Sequence, residues 1–217
     1  MMKKGLILLL SLLLLLSFAA CAGSKAPDES DTTAPASEPA ETATAEAPTD
    51  APAPDAPTAA GKTLVVVFSA TGTTKGVAEK IAAIENADLY EIQPAQPYTA
   101  ADLDWNDQTS RTTKEQNDKS ARPAIAGEKL SLDGYTKLYL GYPIWWGEEP
   151  RILDTFAESY DFSGITVIPF CTSGGSGIGR SGQNLQEAAG SGNWLNGQRF
   201  SGSVSESDLQ SWIAGLQ

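Results

Sequence analysis

Three short stretches carry side chains whose types and spacing could do chemistry. They are Ser69-Ala70-Thr71-Gly72-Thr73-Thr74, Gly141-Tyr142-Pro143-Ile144-Trp145-Trp146-Gly147 and Thr172-Ser173-Gly174-Gly175-Ser176-Gly177. The first offers four hydroxyls and one flexible glycine. It lacks both the Gly-Lys-Ser/Thr ending of a triphosphate loop and the G-x-G-x-x-G of a dinucleotide loop. Such hydroxyls, beside the free N–H groups of a helix start, suit one terminal phosphate held by neutral donors, the dipole adding about 0.3–1 kcal/mol. The plainer alternative is a strand-to-helix turn whose threonine caps the helix. Lys75, the nearest cation, is expected to point to solvent.

The second stretch places two indoles side by side between glycines. Indoles are large and need a partner for their N–H, so a planar ligand would suit them, whereas packing on the following helix is the alternative. Neighbouring side chains diverge, and one of Trp145 and Trp146 is expected on the ligand with the other packed elsewhere. The third stretch has three glycines and three hydroxyls, a backbone able to approach the edge of a flat ring closely.

Composition narrows the chemistry. The 217-residue chain contains no histidine, which removes the commonest general base and metal ligand and excludes Ser-His-Asp hydrolysis and His-bearing zinc sites. Its two cysteines are Cys21 and Cys171. Cys171 ends an apolar run and reads as a small core residue rather than a reactive thiol.

The first sixty residues differ from the rest. Lys3 and Lys4 precede an apolar segment, Leu6 to Leu16, followed by Ser17-Phe18-Ala19-Ala20 and Cys21. That is the layout of a signal peptide over residues 1–20, too short for a comfortable membrane span. Cys21 after two alanines resembles the lipobox of bacterial lipoproteins, although Phe18 stands where leucine is usual. A secretory signal cut near Ala20 and an uncleaved anchor are the alternatives, and all three export the domain across a membrane. Residues 21–62 hold the candidate lipidated cysteine and then a Pro-, Ala- and Thr-rich acidic stretch with no large apolar side chain, expected to be a disordered tether. Of the chain's net charge of −12, residues 61–217 carry −7. That balance disfavours nucleic acid and suits a soluble domain.

Short apolar runs then alternate with helical patterns, the signature of βαβ units around a parallel sheet. Strands are expected at Thr63–Ser69, Asp88–Ile92, Lys137–Tyr142, Ile165–Cys171 and, briefly, Gln198–Phe200. Helices are expected through Val77–Ala82, from a first turn that includes Pro150, over Gln183–Ala189, and from an N-cap at Ser205. Glu148 and Glu149 read as helix-start charges and Arg151 as a surface residue. The polar excursion from Pro94 to Thr136 is partly helical near Arg111–Ala121, and its Tyr98 and Trp105 are expected to pin it to the domain rather than cover a ligand.

All three stretches leave the carboxyl ends of the first, third and fourth strands, where ligands bind in open α/β sheets. In strand order 2-1-3-4-5 these ends are neighbours. A phosphate nest, an aromatic platform and a glycine-rich edge side by side describe a site for flavin mononucleotide (FMN).

Here residues 63–217 resemble the flavodoxin family. Ser69, Thr71, Gly72 and Thr74 match its phosphate loop, [S/T]-x-T-G-x-T, and GYPIWWG and TSGGSG resemble the ring loops of a flavodoxin-like lipoprotein subfamily. The resemblance implies a three-layer doubly wound α/β fold with a five-stranded parallel sheet. It also implies that Ser69, Ala70, Thr71, Gly72, Thr73 and Thr74 hold the phosphate, that Pro143, Ile144, Trp145, Trp146 and Gly147 line the ring, and that Thr172, Ser173, Gly174 and Gly175 close its other edge. Many electron-carrying flavodoxins place a tyrosine in that last loop. Its lack here suggests a ring face open to a substrate or partner.

The expected function is a membrane-tethered FMN protein that transfers electrons to or from a redox partner protein or a small-molecule acceptor. The alternatives are an FMN-dependent NAD(P)H or quinone-type oxidoreductase and a flavin-free binding module.

Overall fold

The run Leu64-Val65-Val66-Val67-Phe68 is buried along its whole length, as a strand covered on both faces must be. The computed structural model describes residues 61–216. The signal-peptide, Cys21 and tether readings lie outside them, apart from Gly61 and Lys62. Strand β1 (Lys62–Val67) leads into helix α1 (Thr73–Glu85), then β2 (Asp88–Glu91), α2 (Arg111–Asn117), β3 (Tyr135–Pro143), α3 (Arg151–Ser159), β4 (Thr166–Thr172), α4 (Ser181–Ala189), β5 (Asn193–Trp194), β6 (Gln198–Phe200) and α5 (Glu206–Ala214). The sheet order is β2-β1-β3-β4-β5, all pairs parallel, with β6 also on β4. This is the expected doubly wound 2-1-3-4-5 arrangement.

Alternation along the strands builds two cores. Val65, Val67, Tyr139, Ile168 and Phe170 face α1 and α5, packing on Val77, Ile81, Leu209 and Ile213. Leu64, Val66, Phe68, Leu138, Leu140, Tyr142, Val167 and Cys171 face the other way, packing on Ile152, Leu153, Phe156 and Leu185 from α3 and α4. Ile125, Leu130 and Leu132 of the excursion cover the rim of this second core.

The fifth strand position differs from expectation, being split into β5 and β6. Ile165 and Val167 turn their carbonyls to it, each accepting an N–H at 2.9 Å, from Asn193 and Leu195. The same alternation turns residue 169 that way, and Pro169 has no N–H to give. The ladder breaks there and resumes where Phe170 pairs with Gln198.

Pro150, expected in the first turn of α3, is instead its extended N-cap residue, with φ −62° and ψ 139°. The N-cap at Ser205 is as expected, its hydroxyl accepting the Asp208 N–H at 3.1 Å.

Gly141 is fixed by packing. It pairs with Phe170, whose ring lies across it, so that a β-carbon at 141 would stand 2.2 Å from Cζ. Gly141→Ala is expected to cost about 1–3 kcal/mol. In urea unfolding the double variant Gly141→Ala/Phe170→Leu should lose less than the two single losses added; strict additivity would contradict this packing.

Candidate functional site

The phosphate-type loop turns at Gly72, which has φ 84° and ψ −12° and serves as N-cap of α1. Nothing lies within 4 Å of a β-carbon built there, so glycine is required by the left-handed backbone and not by crowding. No side chain caps the helix, so the threonine-cap alternative does not hold. The orphan N–H groups of the first turn remain available to a ligand. Thr74 is buried, and its hydroxyl meets that of Thr172 at 2.8 Å. That bond links the loop after β1 to the end of β4. Lys75 lies at the surface as expected and not on the cavity wall, pairing there with Glu91 at 2.7 Å, and the carboxylate raises its pKa.

The tryptophan stretch is a two-residue hairpin. Trp145 and Glu148 exchange both backbone hydrogen bonds, at 2.9 and 3.0 Å. Trp146 (φ 49°) and Gly147 (φ 84°) occupy its centre, the double positive φ of a type I′ turn. A non-glycine residue there is held at a cost of about 1–2 kcal/mol. The two indoles diverge as expected. Trp145 packs edge-on against Phe68 and Tyr98, with centroids 5.6 and 5.4 Å apart, while Trp146 stays 45% exposed.

In the third loop the Ser173 carbonyl accepts from Arg199 Nη2 at 2.9 Å, and its hydroxyl donates to the Ser176 carbonyl. Ile144 N–H donates to the Thr172 carbonyl at 2.9 Å, joining the hairpin to this loop.

The three loops share a cavity of about 610 Å³. Ser69, Ala70, Thr71, Thr73 and Thr74 line it from the first, Pro143, Ile144, Trp145 and Trp146 from the second, and Thr172, Ser173 and Gly174 from the third. Gly72 and Gly147 shape their turns at positive φ, and neither they nor Gly175 line the wall. No charged side chain among the described residues contributes to it, and no group of three or more His, Cys, Asp or Glu in this region could hold a metal.

Sequence reasoning missed four lining residues: Leu103, Trp105, Thr112 and Gly202. Gly202 packs against Thr73, where a β-carbon would come within 2.6 Å of Cγ2; nothing in the sequence signals that approach. Trp105 was expected to pin the excursion, but it is 69% exposed at the cavity. Tyr98 does pin it, meeting Phe68 and Trp145 edge-on, bonding Glu115 at 2.7 Å and carrying Arg111 4.0 Å over its ring.

Behind the hairpin lies a buried ionic cluster. Arg151, expected at the surface, is only 3% exposed. Three carboxylates explain it: Glu148 at 2.6 Å, Asp154 at 3.4 Å and Glu149 at 3.5 Å. Glu149 is itself 1% exposed, and Asn184 donates to both its oxygens at 3.2 and 3.1 Å. Burial is the main cause that pushes the Glu149 carboxyl up to about 7. Burial also raises Asp154, against the pull of Arg151. One guanidinium cannot hold two buried carboxylates fully charged. Cys171 is buried, its thiol pushed up to about 12, and therefore inert.

The molecule is thus an open doubly wound α/β protein with a neutral, hydroxyl-rich and aromatic cavity at the carboxyl ends of its central strands. The sequence model of the family described as Flavodoxin matches residues 62–216, and the chain belongs to the flavodoxin family. Among solved structures it is similar to a protein assigned as a flavoprotein from Bacteroides uniformis ATCC 8492, with 47% identity and TM-score 0.68 over 71% of this chain and 98% of that one. A counterpart from Bacteroides eggerthii DSM 20697 gives 46% identity and TM-score 0.67, covering 71% of this chain and 97% of that one. A flavoprotein from Lactobacillus acidophilus NCFM, solved in complex with FMN, shares the fold at 23% identity and TM-score 0.55, covering 71% and 99%. No curated protein matches the chain.

Because folded Glu149 binds its proton more tightly than the unfolded chain does, its stabilising contribution is complete below the ordinary carboxylate value. It is lost as pH rises from about 4.5 to about 7, by about 1–3 kcal/mol. Glu149→Gln is expected to flatten that part of the stability-against-pH curve measured by thermal melting; parallel curves would show that another group titrates.

Proposed function

We propose that this chain is an FMN-binding electron carrier, exported and held at a membrane by lipid on Cys21. The observation that carries the cofactor reading is the uncapped start of α1, opening beside the Trp145–Trp146 hairpin into one uncharged cavity. Phosphates need donors, and the hydroxyls of Ser69, Thr71 and Thr73 with the first-turn N–H groups supply them without a lysine. A flat ring needs apolar walls and close backbone, which the hairpin and Thr172–Gly174 offer. Family membership and the FMN complex of the Lactobacillus protein support the same ligand. When bound, FMN supplies the redox chemistry; the chain positions it and sets its surroundings.

Electron transfer to a partner protein or small acceptor fits a cavity without a general acid, base or metal ligand on its walls. Membership of the lipoprotein subfamily, and the lipid anchor, rest on Lys3, Lys4, the Leu6–Leu16 run and Ala19-Ala20-Cys21.

The purified full chain is expected to be yellow or to quench FMN fluorescence on titration; a colourless protein without quenching would leave a flavin-free binding module. With a net −7 over residues 61–217 and no cation on the cavity wall, added negative charge on the ring is disfavoured. The midpoint potential should therefore lie below that of free FMN, and a titration at or above it would overturn this electrostatic reading. NADH with a quinone should give negligible turnover, which an oxidoreductase would not. In a bacterial host fed labelled palmitate, the full chain should incorporate the label and Cys21→Ser should not; a wild type that takes up no label would refute lipid anchoring.

A further inference from the structure

Three large apolar side chains are exposed among the described residues, Leu89, Trp105 and Trp146, and two of the three line the same cavity. A single exposed indole is ordinary, but Trp105, 69% exposed, and Trp146, 45% exposed, lie on the wall of one cavity, an apolar patch of the kind that marks a binding site. Trp105 is nonetheless held in a braced segment. Thr99 donates to the Asp102 carboxylate through its N–H at 2.9 Å and its hydroxyl at 2.7 Å. Thr112 donates to the Asp102 carbonyl through its hydroxyl at 2.6 Å and its N–H at 3.1 Å. The Asp104 carboxylate accepts the Asn106 N–H at 2.9 Å, turning the chain at Trp105 itself. Thr113 bonds the Asp107 carbonyl at 3.0 Å.

The brace and the hairpin are tied to the same short helix. The first turn of α2 holds the Trp105 segment through Thr112 and Thr113. Its last turn holds the hairpin, where the Gln116 side-chain amide donates to the Trp145 and Glu149 carbonyls at 3.1 and 3.2 Å. Arg151 closes the link by donating to the Gln116 carbonyl at 3.2 Å. The separation of Trp105 from the hairpin is therefore set by α2. The loop after β4 adds only Thr172, Ser173 and Gly174 to the wall, so the aromatic surface of the cavity comes from the hairpin and Trp105 alone.

We propose that Trp105 is a ring-contacting wall of this site, supplied by the excursion, which stacks the flat ring of the ligand and fixes its orientation. The inference rests on the FMN reading above. Because Trp105 acts on the ring and not on the phosphate, its removal should weaken FMN and riboflavin by the same factor. The Trp105 loop is closed by polar bonds and the indole is exposed, so Trp105→Ala should fold with an unchanged melting temperature when no flavin is present.

The test titrates FMN and riboflavin into the full-length wild type, Trp105→Ala and Trp105→Phe, following flavin fluorescence and visible circular dichroism. Loss of one stacked ring predicts affinity for each flavin about 5- to 10-fold lower in Trp105→Ala, with an altered flavin dichroism, and recovery to within about 3-fold in Trp105→Phe. Wild type that binds FMN, with Trp105→Ala matching it in affinity and dichroism, overturns the role of Trp105 and leaves the FMN reading standing. A weakening confined to FMN also overturns it, since that would place the effect at the phosphate. Wild type that binds neither flavin overturns both.

Discussion

The site depends first on the parallel register of β1, β3 and β4. Val67 stands level with Gly141, and Gly141 with Phe170. Three loops that are far apart in sequence therefore leave the sheet at the same height. In an all-parallel sheet each crossover returns the chain to the end where strands begin, so successive strand ends accumulate on one side, and the register sets their height. Two hydrogen bonds then fasten the loops to one another. The Thr74 and Thr172 hydroxyls join the first to the third, and the Ile144 N–H on the Thr172 carbonyl joins the second to the third. Thr172 is the common partner, and its burial makes both bonds stronger than they would be in water.

A second constraint holds the hairpin from behind. Trp146 and Gly147 both occupy left-handed backbone, which is disfavoured for the tryptophan and must be held by its surroundings. Those surroundings are polar. Glu148, at the end of the hairpin, reaches Arg151 and Lys119, while Glu149 is gripped by Asn184 of α4 and its carbonyl by Gln116 of α2. Buried ion pairs of this kind add little net stability compared with apolar packing, but they are directional. Here the direction matters, because one cluster orients the hairpin, α2 and α4 together. Gln116 Oε1 and Arg151 Nε stay unpartnered inside it, an energetic cost accepted for that geometry.

Much of this was legible in the sequence because it follows from local rules. Continuous Val/Leu runs declare strands buried on both faces, Gly72 declares a turn before a helix, and the three loops fall at strand ends once the strands are placed. What escaped was set by partners distant in sequence. Arg151 reads as a surface residue until three carboxylates fold around it. Pro169 splits the fifth strand only because it sits at the end of a carbonyl alternation that pairing alone defines. Leu103 and Thr112 lie in a polar excursion with no periodicity, and their arrival at the cavity is decided by hydrogen bonds, from the Leu103 N–H to the Thr99 carbonyl and from Thr112 to the Asp102 carbonyl, rather than by any apolar pattern. Gly202 is invisible for a similar reason, since its role is to let Thr73 approach.

The missing cation shapes how such a cavity can discriminate. A lysine would attract any phosphate through its charge, with little regard for what the phosphate is attached to. A wall of hydroxyls and backbone N–H groups attracts phosphate weakly at a distance and binds it only in the geometry that Gly72 imposes. The rest of the affinity must then come from the ligand's other end, where exposed indole surface is available to be covered. On the proposed reading, a free phosphate gains nothing from Trp146 or Trp105, and a flat ring without phosphate leaves the helix start unmatched. Selectivity for a molecule carrying both follows from dividing the interaction between two weak halves at fixed separation. That separation is held on one side by the Thr74–Thr172 bond and on the other by α2.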